Sequence, residues 1–214
     1  MPSLFLQTGP GTAKTADGIP VIPRLGNQNE TIVSELHAPY YEQAYRGNVF
    51  TLSVVTAAAL TAYSGGAAGT PMLAVYNPVG SGKNLVVLQT NVGNVVASTL
   101  AGTVAFGLYY GTTAVITQAT IVAPTSALTQ QAAGSVMTGF RNVALTASTA
   151  AANVLPLGSY YWATAAGAIQ TPNAAAEPKG TILIPPGSYV ALGGSAALTS
   201  ATWIGSLTWE EILI

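Results

Sequence analysis

The sequence predicts an all-β fold, an antiparallel β-sandwich or jelly roll with an extended N-terminal arm. After residue 47, short segments rich in β-branched and aromatic residues recur, and turn residues separate them. No segment of ten or more residues carries a convincing helical pattern. Short strands with short turns bury their apolar faces by forming two packed sheets. We therefore divide the 214-residue chain into an arm, 1–46, and a jelly-roll body, 47–214.

The arm differs from the body in its charge and its prolines. Seven of the thirteen charged residues lie within the first 46 positions, whereas from 47 to 176 only Lys83 and Arg141 are charged. Gly9-Pro10-Gly11 and the prolines of 19–23 favour an extended backbone over a helix. The segment 29–36 could form a short helix that Pro39 would end.

An aromatic cluster marks the junction between arm and body. Tyr40, Tyr41 and Tyr45 lie close together in sequence, and we expect them to pack the arm onto the body. Stacking of these rings on a carbohydrate is the alternative. With Arg24 and Arg46, they are the candidate interaction residues of the arm and junction.

The body contains nine candidate strands. In the first, Phe50, Leu52 and Val54 alternate with more polar neighbours, as a half-buried strand does. In the last, Trp203 and Trp209 share a face, which we expect to be buried, with hydroxyl-bearing residues on the other. The predicted strands are 48–55, 72–76, 84–90, 103–110, 143–147, 159–163, 181–184, 188–192 and 202–210.

The stretch "YNPVGSGKNLVVL", 76–88, at first resembles a phosphate-binding loop. A P-loop requires G-x-x-x-x-G-K-[ST], so that backbone amides cradle phosphate and a hydroxyl holds Mg²⁺. Here Pro78 occupies the first glycine position, and Asn84 replaces the hydroxyl residue. No helix N-terminus follows to attract an anion. The pattern predicts a turn within a strand–turn–strand hairpin.

Other connecting segments carry distinct turn and loop signals. The sequence Ile184-Pro185-Pro186-Gly187 suits a type II turn, because proline fixes φ and glycine accepts a positive φ. The segments 124–135 and 147–152 are rich in Ala, Thr and Gln and are predicted as loops. The segment 126–137, "SALTQQAAGSVM", could instead form a short helix.

The side chains offer little for catalysis or for metal binding. There is no cysteine, and His37 and Asp17, the single histidine and single aspartate, lie in the arm without the setting that a triad requires. The paired carboxylates are Glu35 with Glu42, and Glu210 with Glu211. Neighbours on a strand point to opposite faces, so we expect the second pair to keep a C-terminal edge strand soluble.

The sequence thus predicts no enzyme, no catalytic residue, no metal site, no cofactor and no small-molecule substrate. Lys83 and Arg141 remain as isolated charges in a neutral body. We expect each to be solvated in a turn or to make one hydrogen bond between subunits. Contact with a ligand in a groove between subunits is the alternative.

The composition indicates a protein that associates with other protein chains. Only 6% of its residues are charged, against about 25% in soluble proteins generally, and the net charge is −1. Nucleic-acid binding needs clustered Lys and Arg, and a membrane span needs about 20 apolar residues without interruption. The sequence has neither, so we predict no nucleic-acid and no membrane partner. A surface this poor in charge favours association, and we expect it to be covered within an assembly.

Two windows of the chain resemble a pattern in structural proteins of tailed bacteriophages. They are "YNPVGSGKNLVVLQ" and "ILIPPGSYVALGGSAALTSATWIGSLTWEEI", which match an NP-x-GSGK-x-L turn and a closing PPG-x-Y … W-x-G-x-x-W-E-E strand pair. The resemblance does not extend to residues 91–180. It implies a virion protein with a jelly-roll body of the head-decoration, cement or fibre type, commonly trimeric, and it carries over no catalytic residue.

Composition and resemblance together give one leading functional hypothesis. The chain is expected to be a capsid-decorating or cement protein on the capsid surface, a homotrimer whose arm engages the major capsid protein or another virion protein. One alternative is a receptor- or carbohydrate-binding module of a phage fibre, with Tyr63, Tyr109-Tyr110 and Tyr160-Tyr161-Trp162 as candidate rings. The other is a jelly-roll capsid subunit, although the chain lacks a basic arm for packaged nucleic acid.

Overall fold

The computed structural model describes residues 39–96, 102–117, 120–162 and 173–214. The chain divides into two compact units, Met1–Pro39 and Tyr40–Ile214, and the fold below is that of the second. The predicted helix at 29–36, and with it Asp17, Arg24, Glu35 and His37, lie outside the described residues.

The second unit consists almost entirely of strands, and each predicted strand overlaps an observed one. The elements are α1 (Tyr41–Tyr45), β1 (Val49–Leu60), β2 (Ala68–Gly69), β3 (Leu73–Asn77), β4 (Lys83–Val96), β5 (Gly102–Thr112), β6 (Ile116–Thr117), β7 (Thr125–Ser126), β8 (Thr138–Arg141), β9 (Leu145–Ala147), β10 (Asn153–Trp162), β11 (Asn173–Ala176), β12 (Leu183–Ile184), β13 (Ser188–Gly194) and β14 (Leu198–Leu213). The all-β prediction is confirmed.

The strands form two main antiparallel sheets and a small third one. The six-stranded sheet has the order β11-β4-β14-β1-β7, with β12 also paired to β4, and the five-stranded sheet has the order β10-β5-β13-β3-β8. A three-stranded sheet has the order β2-β9-β6. Eight strands make up the two main layers: β1, β3, β4, β5, β10, β11, β13 and β14. When these are numbered one to eight in chain order, the six-stranded sheet contains the order 6-3-8-1 and the five-stranded sheet the order 5-4-7-2. This is the strand order of a jelly roll, which confirms the predicted class.

The principal core lies between the two main sheets. Trp203 and Trp209 are both buried, as the alternation of the last strand predicted. The ring centroids of Trp203 and Phe106 are 4.8 Å apart, and those of Trp209 and Phe50 are 6.4 Å apart. Burial of four such rings contributes a large share of the hydrophobic free energy of folding.

A second apolar cluster lies on the other face of the five-stranded sheet. It contains Tyr63, Phe140, Leu145 and Tyr189, and Leu145 belongs to β9 of the small sheet. Because both of its faces are covered, the five-stranded sheet is buried along the whole of β3 and β13. The six-stranded sheet therefore provides the larger uncovered face of the body.

The stretch 76–88 forms a turn, as predicted, but the expected hairpin is wrong. Its strands, β3 and β4, belong to different sheets, so the turn carries the chain across the sandwich. Gly80 and Gly82 have φ values of 80° and 70°, which favour glycine. The turn is held by Asn77, whose Nδ2 donates hydrogen bonds to the carbonyl oxygens of Lys83 at 2.8 Å and Ile184 at 2.9 Å.

The proline-rich turn before β13 also crosses between the sheets, since β12 and β13 lie in different ones. Gly187 has a φ of 74°, in line with the expected role of glycine there. Its N–H donates to the carbonyl oxygen of Asn77 at 2.8 Å. One buried asparagine thus connects the two crossings that close the same end of the sandwich.

Two further expectations are corrected by the fold. The segment 126–137 contains no helix, because Ser126 ends β7 and Gln130 and Gly134 take positive φ values of 58° and 88°. Glu210 and Glu211 do not lie on an edge strand, since β14 pairs with both β1 and β4 along their length. Their predicted role in protecting an edge is therefore wrong, although they do point to opposite faces.

Candidate interaction surface

The uncovered face of the six-stranded sheet is lined by uncharged polar side chains. The residues of β1 that alternate away from the core, Thr51 and Ser53, pair in register with Thr208 and Ser206 of β14. These two in turn pair with Gln89 and Asn91 of β4. The Thr51 and Thr208 hydroxyl oxygens lie 3.1 Å apart, within hydrogen-bond distance. The centre of this face is therefore an array of half-buried hydroxyl and amide groups.

One end of the same face is apolar and exposed. Val55 follows the core residue Val54, which pairs with Gly205, the neighbour of Ile204, and the register of β1 on β14 is then interrupted until Ala58. The exposed fractions of Val55 and Ile204 are 78% and 40%, and that of Val96, which pairs with Thr202 of β14, is 50%. Exposed apolar residues that occur together, rather than singly, mark interaction sites.

We call this surface the neutral face. It consists of Thr51, Ser53, Val55, Gln89, Asn91, Val96, Ile204, Ser206 and Thr208. Its alternation was visible in the sequence of β1 and β14. The contribution of β4 was missed, because only the register between β4 and β14 places Gln89 and Asn91 beside the hydroxyls.

The opposite end of the outer face is covered and holds an acidic residue. Val49, Val86 and Leu88 form a small buried cluster against which Ala44 of α1 packs. Glu210 pairs in register with Val49 and Val86, and burial raises the pKa of its carboxyl group. Among the described outward-facing residues of β1, β4 and β14, Glu210 is the charged one. The neutral face therefore covers the part of the sheet that lies beyond Glu210 and the Val49 cluster.

The predicted junction residues gather on α1. The rings of Tyr41 and Tyr45 stack with centroids 6.1 Å apart and an interplanar angle of 6°. Arg46 Nε donates to Glu42 Oε1 at 2.9 Å, four residues earlier. Tyr40, Tyr41 and Tyr45 are 38%, 44% and 43% exposed. Arg24, the remaining candidate, lies outside the described residues.

Lys83 is not isolated, contrary to expectation. Its Nζ donates to Glu211 Oε2 at 3.1 Å, and the Glu211 side chain is fully buried. Ser135 Oγ donates to Oε1 of the same carboxylate at 2.5 Å, and the Val136 N–H donates to Oε2 at 3.3 Å. The three contacts satisfy a buried charge and link three distant segments, so removal of one partner would leave a charge or donor uncompensated in the interior.

Arg141, the other predicted isolated charge, lies at the end of β8. Its Nε is buried and has no hydrogen-bond partner among the described residues. Burial lowers the pKa of its guanidinium. A nearby cavity of 230 Å³ is lined by Ala, Leu, Met, Thr and Asn side chains, including the adjacent Asn142. These groups provide neither a nucleophile–base pair nor an acid–base pair.

Of the rings considered for carbohydrate stacking, Tyr63 is buried, Tyr109, Tyr110 and Tyr160 are half-buried, and the side chain of Trp162 lies outside the described residues. Tyr63 is buried, and its ring meets that of Tyr109 edge to face with the centroids 5.6 Å apart. Burial raises the pKa of both hydroxyl groups. Tyr160 packs against Phe106 at 5.8 Å, whereas its neighbour Tyr161 is 63% exposed. One ring of that pair therefore faces inward, as alternation requires.

The described part of the chain contains no candidate metal site and no candidate membrane-spanning helix. Across 39–96, 102–117, 120–162 and 173–214, no three acidic or histidine side chains lie close enough to share a metal ion. Within the same ranges no helix is both long and apolar enough to cross a bilayer.

Comparison with known proteins gave no match. Neither a protein-family model, nor a curated protein, nor a solved structure is significantly similar to the chain.

Proposed function

We propose that this chain is a structural subunit of a virion, a capsid-decorating protein that binds the head surface and stabilises the shell. The observation that carries the proposal is the neutral face. An exposed surface of hydroxyl, amide and branched apolar groups is well suited to burial against protein, because no charge has to be desolvated. A jelly-roll body and a chain with 6% charged residues suit the same role.

The proposed mechanism is stabilisation by mass action. A protein that binds the assembled shell, and not its separated subunits, shifts the equilibrium towards the shell. In this proposal the arm, 1–46, engages the neighbouring capsid protein, and the sandwich associates with copies of itself, as a homotrimer. Extended segments can lie across a large surface of a partner, at the cost of becoming ordered on binding.

A jelly-roll shell subunit is the second candidate, favoured by the strand order of the two main sheets. The fibre-tip alternative is less favoured, because Tyr63 is buried and Tyr109 and Tyr160 are partly buried in ring clusters. Among the candidate rings whose side chains are described, Tyr161 is the exposed one and would be a narrow stacking platform.

Copy number distinguishes these roles. Quantitative mass spectrometry of purified particles that carry this protein should find many copies per particle, as a decorating protein of a symmetric shell requires. A few copies per particle would indicate a fibre tip, and absence from purified particles would contradict the proposal. A shell that still forms without this protein would separate decoration from shell building.

Truncation tests the role assigned to the arm. We expect removal of residues 1–39 to leave the unit Tyr40–Ile214 folded and to weaken binding to particles, measured by co-sedimentation. Removal of 1–46 is the companion variant, since it also removes α1 and uncovers the apolar cluster around Val49. That variant should lose thermal stability as well. Unchanged particle binding by the 1–39 deletion would show that the arm does not dock.

A further inference from the structure

We propose that a second copy of this chain occupies the neutral face, which is thus the surface of self-association. The inference deepens the proposed function and rests on it, since it names which side of the body contacts another subunit. The neutral face contains three exposed branched apolar residues at one end, Val55, Val96 and Ile204, and hydroxyl and amide groups in its centre. Both kinds of group can be buried against protein without removing a charge from water.

The absence of charge on the neutral face indicates what kind of partner surface binds it. A charged partner surface would have to lose its solvation against a face that offers no opposite charge, and such burial is costly. The surface that matches the neutral face is itself poor in charge. This chain supplies such a surface, because between residues 47 and 176 it carries only Lys83 and Arg141. Of these, Lys83 is already paired with Glu211.

The size of the face indicates how strong the association should be. The face extends along β14 from Thr202 to Thr208 and across the three strands β1, β14 and β4. At about 3.3 Å per residue and about 4.8 Å per strand, this amounts to about 23 Å by about 14 Å. The face covers roughly 320 Å² on one copy, so a pair of copies buries roughly 650 Å² there, the size of a weak, concentration-dependent interface.

The edges of the sheets are less suited to association. The long edge strand β10 pairs with β5 alone in the five-stranded sheet, but Pro156 removes one backbone donor from it. A register shift between Pro156 and Gly158 also interrupts its ladder. Proline and bulges are the devices that prevent edge-to-edge pairing of strands. Association through the face of the six-stranded sheet avoids this obstacle.

The test is a charge placed on the neutral face of the full-length chain. Val55→Glu changes the most exposed of its apolar side chains, at 78%, and should therefore leave the fold intact. Val79→Glu is the matched control, because Val79 is 69% exposed in the turn at the end of the sandwich, away from this face. Val55→Thr keeps the shape of the side chain and introduces no charge.

Sedimentation velocity over a range of concentrations gives the dissociation constant for self-association. We expect Val55→Glu to raise it roughly tenfold or more, and Val79→Glu and Val55→Thr to leave it close to that of the unmodified chain. Unfolding curves confirm that the variants fold. If Val55→Glu associates as tightly as the unmodified chain, the inference is wrong while the proposed function stands. If the unmodified chain is monomeric, both are wrong.

Discussion

Replacing Glu211 with glutamine is expected to lower the free energy of unfolding by about 2–4 kcal/mol. The carboxylate is fully buried and accepts from Lys83 Nζ, Ser135 Oγ and the Val136 N–H. A glutamine amide carries no charge, so the ammonium of Lys83, 23% exposed, would lose its counter-ion. The amide NH₂ would also have to face one of these donors. Urea denaturation with a fluorescence readout from the three tryptophans measures the change.

Glu210→Gln is the matched control, because it makes the same chemical change one residue away on the opposite face of β14. We expect it to leave stability at neutral pH unchanged or slightly increased. Lys83→Met combined with Glu211→Gln should lose less than the sum of the single changes, since neither charge is then left unpaired. Equal effects of the two glutamine variants would contradict the assignment of Glu211 as the buried partner of Lys83.

Glu210 should also make the free energy of unfolding depend slightly on pH. The sign of this dependence should be opposite to that given by a carboxylate in an ion pair. Burial raises its pKa in the folded chain above the unfolded value, so protonation favours the folded state. As the pH rises from the unfolded pKa through the folded one, this contribution to stability is lost. The stability of Glu210→Gln relative to the unmodified chain should therefore increase with pH across that window. A difference that decreases with pH would contradict the burial of this carboxyl.

The second large effect is expected at Asn77. Its side chain donates two hydrogen bonds to backbone carbonyls and accepts a third from Ser81 Oγ at 2.6 Å, and the residue is fully buried. Asn77→Ala would leave the carbonyls of Lys83 and Ile184 without this donor, and we expect a loss of about 2–4 kcal/mol. Differential scanning calorimetry would record this as a lower melting temperature.

Two further variants identify the cause of that loss. Asn77→Asp keeps the oxygen that accepts from Ser81 but places a second oxygen against two carbonyls, so it should destabilise at neutral pH at least as much as alanine. Asn153→Ala, at an exposed position of β10, should change stability by less than about 0.5 kcal/mol. If Asn77→Ala is as mild as Asn153→Ala, the connection between the two sheet crossings contributes nothing.

Local pattern was sufficient to predict nine of the fourteen strands in the described residues and the buried face of β14, but it missed β2, β6, β7, β8 and β11. Alternation places Trp203 and Trp209 together whichever strands lie beside them. Turn chemistry likewise located the positive φ at Gly187. These features depend on residues that are close in sequence, and the fold class follows from their number and spacing.

Strand pairing and ion pairs between residues far apart in sequence could not be predicted from local pattern. The turn at 78–82 is compatible with a hairpin or with a crossing between sheets, and the choice depends on β13 and β14, more than 100 residues later. For the same reason Lys83 and Glu211, 128 positions apart, were treated as unrelated charges. The neutral face needed the register of β4 on β14, which a single strand pattern does not contain.

We infer that a body this poor in charge remains in solution because its surfaces are covered within a multi-subunit object. Sedimentation velocity of the full-length chain, from low micromolar to several hundred micromolar, tests it most directly. We predict that the sedimentation coefficient rises with concentration to that of a defined multi-subunit species. A coefficient that stays at the value of a single chain over the whole range, with the protein clear and folded, would contradict the claim.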